Sequence, residues 1–243
     1  CFHQVTRENH LRARELFRQA CGIDPDLADG HFWLARVSAG LIAYGWCEDT
    51  AAALKEGRDA ALRAIQIEEA NPYAHYGLAI VCIFAEDFTQ AIRAAERAVL
   101  LSPSFALGYF VLGMSRLCTG DAAGAVEPLQ HGFRLNPHDP QNFVWYNTLA
   151  LAHFFARQPE EALAATVKAA QVRPDWLPTY QKMACCHLAL GNAREARRCI
   201  EQMVSLERPP GDTLAPFKRH QPQWIGEMQA MLRDAGVEES ANL

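Results

Sequence analysis

Apolar and small residues fall on one helical stripe in residues 106–139. Tyr109, Leu112, Gly113 and Leu117 stand at i, i+3, i+4 and i+8, which predicts a helix over Ala106–Cys118. Thr119, Gly120 and Asp121 read as a turn, with Gly120 leaving the helix in a left-handed conformation and Asp121 capping the next one. A second helix over Ala122–Leu135 carries Ala125, Leu129 and Gly132 inward, and Asn136-Pro137 stops it. Small residues at Gly113, Ala125 and Gly132 let the two helices approach closely, while Tyr109, Leu112 and Leu129 fill the remaining space.

The same hairpin recurs along the chain. Pro103 and Pro137 are 34 residues apart, as are Ala91 and Ala125, and Ala162 and Ala196. Leu78-Ala79 returns as Leu112-Gly113, Leu149-Ala150 and Met183-Ala184. Residues 72–105 read as helices over Tyr73–Ala85 and Phe88–Leu101, and residues 143–176 and 177–210 follow the same plan. At the front, Arg12 to Gly22 carries Ala13, Phe17 and Ala20 before Pro25, the pattern of a second helix whose first helix would begin upstream of residue 1. The chain therefore reads as one that starts inside a repeat. The next unit is stretched by ten residues, because Pro25 to Glu69 is 44, and helices are expected at 27–43 and 50–68. Pro137 to Pro174 is 37, so three residues, Asp139-Pro140-Gln141, are added there. Glu69 and Gly57 depart from the pattern, standing where a helix-ending proline and a small alanine belong. After Pro209-Pro210-Gly211 the period ends, and Gln223–Ala235 reads as a last amphipathic helix with Trp224, Ile225, Met228, Met231 and Leu232 on one side. An array has an open end, and this helix is expected to cover it. The organisation expected is an array over residues 1–211 and a capping helix and tail over 212–243.

Leu112-Gly113, Gly120-Asp121, Ala125 and Leu129 with Pro137, and their echoes in neighbouring units, resemble the tetratricopeptide repeat family. The resemblance implies an all-α, right-handed solenoid of antiparallel helix pairs, with about five and a half repeats. A narrower resemblance is one of layout. Val5 to Asn9, the stretched unit with Tyr44-Gly45-Trp46, and the ending from Trp224 to Gly236 look like the repeat region beside the catalytic or DNA-binding domain of some bacterial signalling proteins, class III adenylate cyclase-like proteins and winged-helix regulators among them.

Net charge is −5, too mild to suggest a nucleic acid or an anionic membrane as partner. No apolar run reaches the length of a transmembrane helix. Eight cysteines show neither a C-x-x-C pair nor a disulfide framework, so they read as reduced thiols in a cytoplasmic protein. Phosphate-cradling loops, nucleophile elbows and zinc-protease motifs are missing, and the chain reads as non-enzymatic, with no cofactor. Cys185-Cys186-His187 is the best metal candidate, but adjacent helical residues point about 100° apart and cannot share one ion. His153 and His187 occupy one position of successive repeats, a position that normally packs between helices.

The resemblance implies that first helices line a concave groove. Counting along each unit gives Phe32, Arg36, Tyr73, Tyr76, Ile80, Phe110, Met114, Asn147, Leu151 and Gln181 as groove residues. Aromatic anchors and methionine suit a protein or peptide ligand laid in the groove. The other reading of these positions is packing between repeats, and the sequence leaves both open. Arg36 is the one strong cation among them, which argues against an acidic-tail ligand. The expected function is a protein- or peptide-binding scaffold. The alternative is an oligomerisation or regulatory region of a signalling enzyme or transcription factor, for which a homodimer is one possible form.

Overall fold

The computed structural model describes residues 6–206 and 215–236. Every regular element in them is an α-helix. Helix α1 (Arg7–Ile23) precedes five hairpins: α2 (Ala28–Ala43) with α3 (Thr50–Ile67), α4 (Pro72–Phe84) with α5 (Phe88–Leu101), α6 (Ala106–Cys118) with α7 (Ala122–Leu135), α8 (Asn142–Phe155) with α9 (Pro159–Val172), and α10 (Leu177–Ala189) with α11 (Ala193–Ser205). Two helices follow, α12 (Ala215–His220) and α13 (Pro222–Asp234). We number the repeats so that α1 is the second helix of the first and α10–α11 form the sixth.

One turn chemistry repeats at the end of every first helix. Gly45, Glu86, Gly120, Arg157 and Gly191 all have positive φ, between 62° and 88°. The next residue's N–H reaches back five positions each time, from Trp46 to Leu41, Asp87 to Cys82, Asp121 to Arg116, Gln158 to His153 and Asn192 to His187. This closes the helix in a Schellman motif. Asp49, Asp87 and Asp121 then cap the second helices, each accepting a bond from a backbone N–H three residues on. Inside the hairpin the small stripe is fully buried: Ala91, Ala125, Ala162 and Ala196 are 0–1% exposed. At Gly113 a Cβ would lie 2.5 Å from Leu129 Cγ, so only glycine allows that approach.

The hairpins stack by contacts between consecutive helices and between consecutive first helices, α2 to α4 to α6 to α8 to α10. No two second helices make comparable contact among the described residues. A row held closer on one side curves toward that side, so the first helices line the concave face.

The differences from the sequence reading have local causes. Helix α1 starts at Arg7 rather than Arg12, because Thr6 Oγ1 accepts the Asn9 N–H and extends the helix through a polar turn. Pro128 sits inside α7 and cannot donate to the Gly124 carbonyl. Arg116 Nη1 donates to that carbonyl instead, at 3.0 Å.

The C-terminal segment differs most. A single helix over the open end was expected; the described residues hold two helices, and they run back over the first helices. Helix α13 packs on α10 and α12, and α12 on α6 and α4. Aromatic partners account for the position: Phe217 is fully buried, and Trp224 stacks on Phe155 with centroids 4.4 Å apart and planes 7° apart. The expected boundary at residue 211, the end of the last repeat at 207–210, Val5 and the polar tail from Val237 lie outside the described residues.

Candidate functional site

On the concave face, α2, α4, α6 and α8 enclose a pocket. Ala39, Ala43, Ile80, Phe84, Phe110, Met114, Val144 and Trp145 form an apolar wall, and Arg36, Tyr44, Tyr76, Gln141 and Thr148 add polar groups. Its volume is about 560 Å³ counting the open mouth, enough to admit an apolar side chain.

Arg36 and Gln141 define the polar side. Arg36 Nη2 donates to Gln141 Oε1 at 3.2 Å, linking residues 105 positions apart across the curvature of the array. Burial pushes the Tyr76 phenol up, opposed by the charge of Arg36 and a hydrogen bond from it. Burial also raises the Tyr44 phenol, opposed by the charges of Arg36 and Arg173. Both hydroxyls therefore stay protonated at neutral pH and can donate. Behind Tyr44, His10 packs edge-on against it and against Trp46, at 5.6 and 5.0 Å. Burial lowers the His10 pKa to about 4 against a weaker raising effect of the Thr6 carbonyl; the charge of Arg36 lowers it further.

The structure brings Arg36, Tyr76, Ile80, Phe110 and Met114 into this pocket. It places the other expected groove residues elsewhere. Phe32 is 2% exposed and packs against Tyr73 and Tyr76. Tyr73 is 42% exposed and lies against Phe105, with centroids 4.5 Å apart. Asn147 is buried, its Nδ2 donating to the Phe143 carbonyl and to Thr179 Oγ1 of the next repeat. Leu151 and Gln181 are buried and line no part of the pocket. Phe32, Asn147, Leu151 and Gln181 are buried because adjacent first helices lie close enough to cover what points between them, whereas Tyr73 keeps part of its ring exposed.

The chain matches no protein-family model. It is 31% identical over 68 residues to the Hsp70-Hsp90 organizing protein of Triticum aestivum, a match covering 28% of this chain and 12% of that protein. Its fold is similar to that of YrrB, described as a TPR protein with an unusual peptide-binding site, with a TM-score of 0.55 at 16% identity, covering 90% of this chain and 98% of that one. It is also similar to MamA from Desulfovibrio magneticus RS-1, with a TM-score of 0.56 at 19% identity, covering 73% and 96% of the two chains. The fold is that of the tetratricopeptide repeat.

Gln141, Thr148, Val144, Trp145 and Tyr44 line the pocket of this repeat array and are not among the groove residues expected from the sequence. One signal pointed to Gln141, which belongs to the three residues added before α8; the insertion is what sets it opposite Arg36. The metal candidates are taken up by packing. His153 Nδ1 pairs with Gln158 Oε1 at 2.7 Å and its Nε2 lies 3.4 Å from Gln130 Nε2. Burial pushes the Cys185 and Cys186 thiols up to about 12, which keeps them protonated and poor ligands. Among the described residues no three His, Cys, Asp or Glu side chains converge, and no helix is long and apolar enough to cross a membrane.

Proposed function

We propose that this repeat array is a peptide-binding scaffold that anchors one apolar side chain of its partner in the pocket between α2, α4, α6 and α8. The pocket itself carries the reading: an apolar wall open between four first helices, with donors at one side. Arg36, Tyr44, Tyr76 and Gln141 can meet the carbonyls of a peptide backbone while the wall receives the side chain. The peptide-binding site described for YrrB, on a similar fold, supports a binding role, and so does the tetratricopeptide resemblance. The resemblance in layout to bacterial signalling proteins supports a place beside a catalytic or DNA-binding domain, with binding rather than catalysis as this region's part.

The test is selection of peptides from a random library on the full chain, repeated on Val144→Phe. Val144 is a partly exposed wall residue, so a ring there fills the void without breaking the core. Selected peptides should share an aromatic or long aliphatic anchor and lose at least about tenfold in affinity for the variant. Equal binding to both proteins, or no enrichment at all, sinks the pocket reading.

A further inference from the structure

Two of the five left-handed turns that close first helices lack glycine. Glu86 and Arg157 have φ of 62° and 63°, while Gly45, Gly120 and Gly191 occupy the equivalent places. A side chain in that conformation strains the backbone, and glycine avoids the strain. Both exceptions hold the C-terminal segment. Arg219 and His220 of α12 contact the Glu86 carboxylate, the histidine at 2.8 Å. Arg157 binds Glu227 of α13 through two bonds, at 2.5 and 3.2 Å. At the turn between them, Gln221 Nε2 donates to the Cys118 carbonyl at 2.9 Å and its side chain lies over Gly120. The segment thus crosses the turns of the third, fourth and fifth repeats in order and continues onto α10, where Met228 and Leu232 are buried.

Arg157 and Arg219 keep more than half of their side-chain surface in solvent, 69% and 67%, and ion pairs so exposed are weak. Two residues thus give up an easy backbone conformation for a weak, screenable contact with one C-terminal segment. A segment serving only as a permanent part of the core would need neither latch, because Phe217 and Trp224 already bury its apolar face.

We infer that the ends of α4, α6 and α8 together with α10 form a docking site for an amphipathic helix, that α12 and α13 fill it from within the chain, and that a partner helix of the same chemistry exchanges with them. The resident segment specifies that chemistry: an aromatic ring with a basic residue two positions on, then a second ring with a glutamate three positions on and a methionine beside it, as in Phe217, Arg219, Trp224, Glu227 and Met228. The site shares no lining residue with the pocket: it begins two residues beyond Phe84 at the end of α4, and about one and two helical turns beyond Met114 on α6 and Thr148 on α8.

The test uses the full chain with Glu86→Gly and Arg157→Gly together. Glycine takes the left-handed turn freely, so the variant loses the latches and keeps the turns. Hydrogen exchange in α12 and α13 should quicken by at least about tenfold while α6 and α7 stay as they are. A labelled synthetic peptide of residues 215–236 should bind a chain carrying Arg219→Gln and Glu227→Gln, in which the site keeps Glu86 and Arg157 for the peptide, at least about tenfold more tightly than the native chain. Exchange in α12 and α13 that does not change, or a peptide that binds neither protein, overturns the inference. The swap Arg157→Glu with Glu227→Arg rebuilds one latch with reversed charge. In that background, a lone Glu86→Gly change should give exchange close to that of Glu86→Gly alone; exchange as fast as in the double glycine variant removes Arg157 from the device.

Discussion

The concave face has two halves built by one repeat and finished differently. From α2 to the start of α8 the inner wall of Tyr76, Ile80, Phe110, Met114 and Trp145 lines an open pocket. From the end of α4 to α10 the corresponding surface is covered by Phe217, Trp224, Met228 and Leu232 of the chain's own C-terminal helices. The repeat specifies how hairpins stack and nothing about what lies against the inner row. Occupancy is decided by residues outside the period: an insertion that brings Gln141 to Arg36 in one half, and a non-repeating segment in the other.

The largest expected effect breaks the filled half. Phe217 has no exposed surface and sits beside Phe155 and Trp224, with centroids 6.0 and 5.6 Å away. Phe217→Ala removes a buried ring from a packed cluster, at a cost of about 3–5 kcal/mol. That energy belongs to the docking of α12 and α13, so the loss should appear as hydrogen exchange in α13 faster by two orders of magnitude or more, with α6 and α7 unaffected. Uniform acceleration through all helices would show that the segment and the repeats unfold as one unit.

A second measurement sharpens the contrast from the half that holds the pocket. His10 is fully buried behind Tyr44 at the pocket's edge, with its pKa lowered to about 4 from an ordinary 6.5. Between those values the unfolded chain takes up a proton that the folded chain refuses. Stability therefore falls as pH drops through 6.5 and stops falling on this account below about 4, a loss of about 3 kcal/mol. Replacing His10 with Leu removes the titrating group, so the variant should lose less of its melting temperature between pH 7 and pH 4.5 than the native chain does. Identical losses would mean that acid acts only through carboxylates elsewhere.

The two halves also differ in how much of them could be read from sequence. Helix spans such as Ala106–Cys118 and Ala122–Leu135 agree with the structure residue for residue, because periodic apolar stripes, aspartate caps and turn glycines act within a few neighbours. The groove was legible only in part. Helical periodicity says that Asn147 and Gln181 point inward from a first helix, yet whether they meet solvent depends on the distance to the next hairpin, and both are buried. The path of α12 and α13 was not legible at all. The apolar stripe of Trp224, Met228 and Leu232 names a face that must be covered, and only the three-dimensional placement of Phe155, Glu86 and Arg157 says where.

The smallest effect isolates what the C-terminal segment adds at a single turn. Gly120 and Gly191 close equivalent first helices with φ of 88° and 73°. A Cβ at Gly191 would meet nothing within 4 Å, whereas one at Gly120 would lie 3.3 Å from the Gln221 side-chain amide. Gly191→Ala therefore measures the backbone penalty alone, about 1 kcal/mol. Gly120→Ala carries the same penalty plus whatever is lost when Gln221 shifts from the Cys118 carbonyl, about 1 kcal/mol more. The quantity to measure is the difference between the two variants in urea denaturation, which cancels the shared backbone strain. A difference near zero would mean that Gln221 keeps its bond and α12 yields by a few tenths of an ångström. A clear excess at Gly120 would show that the segment is seated tightly enough on this turn to register one methyl group, and that the turns beneath it serve as its footing.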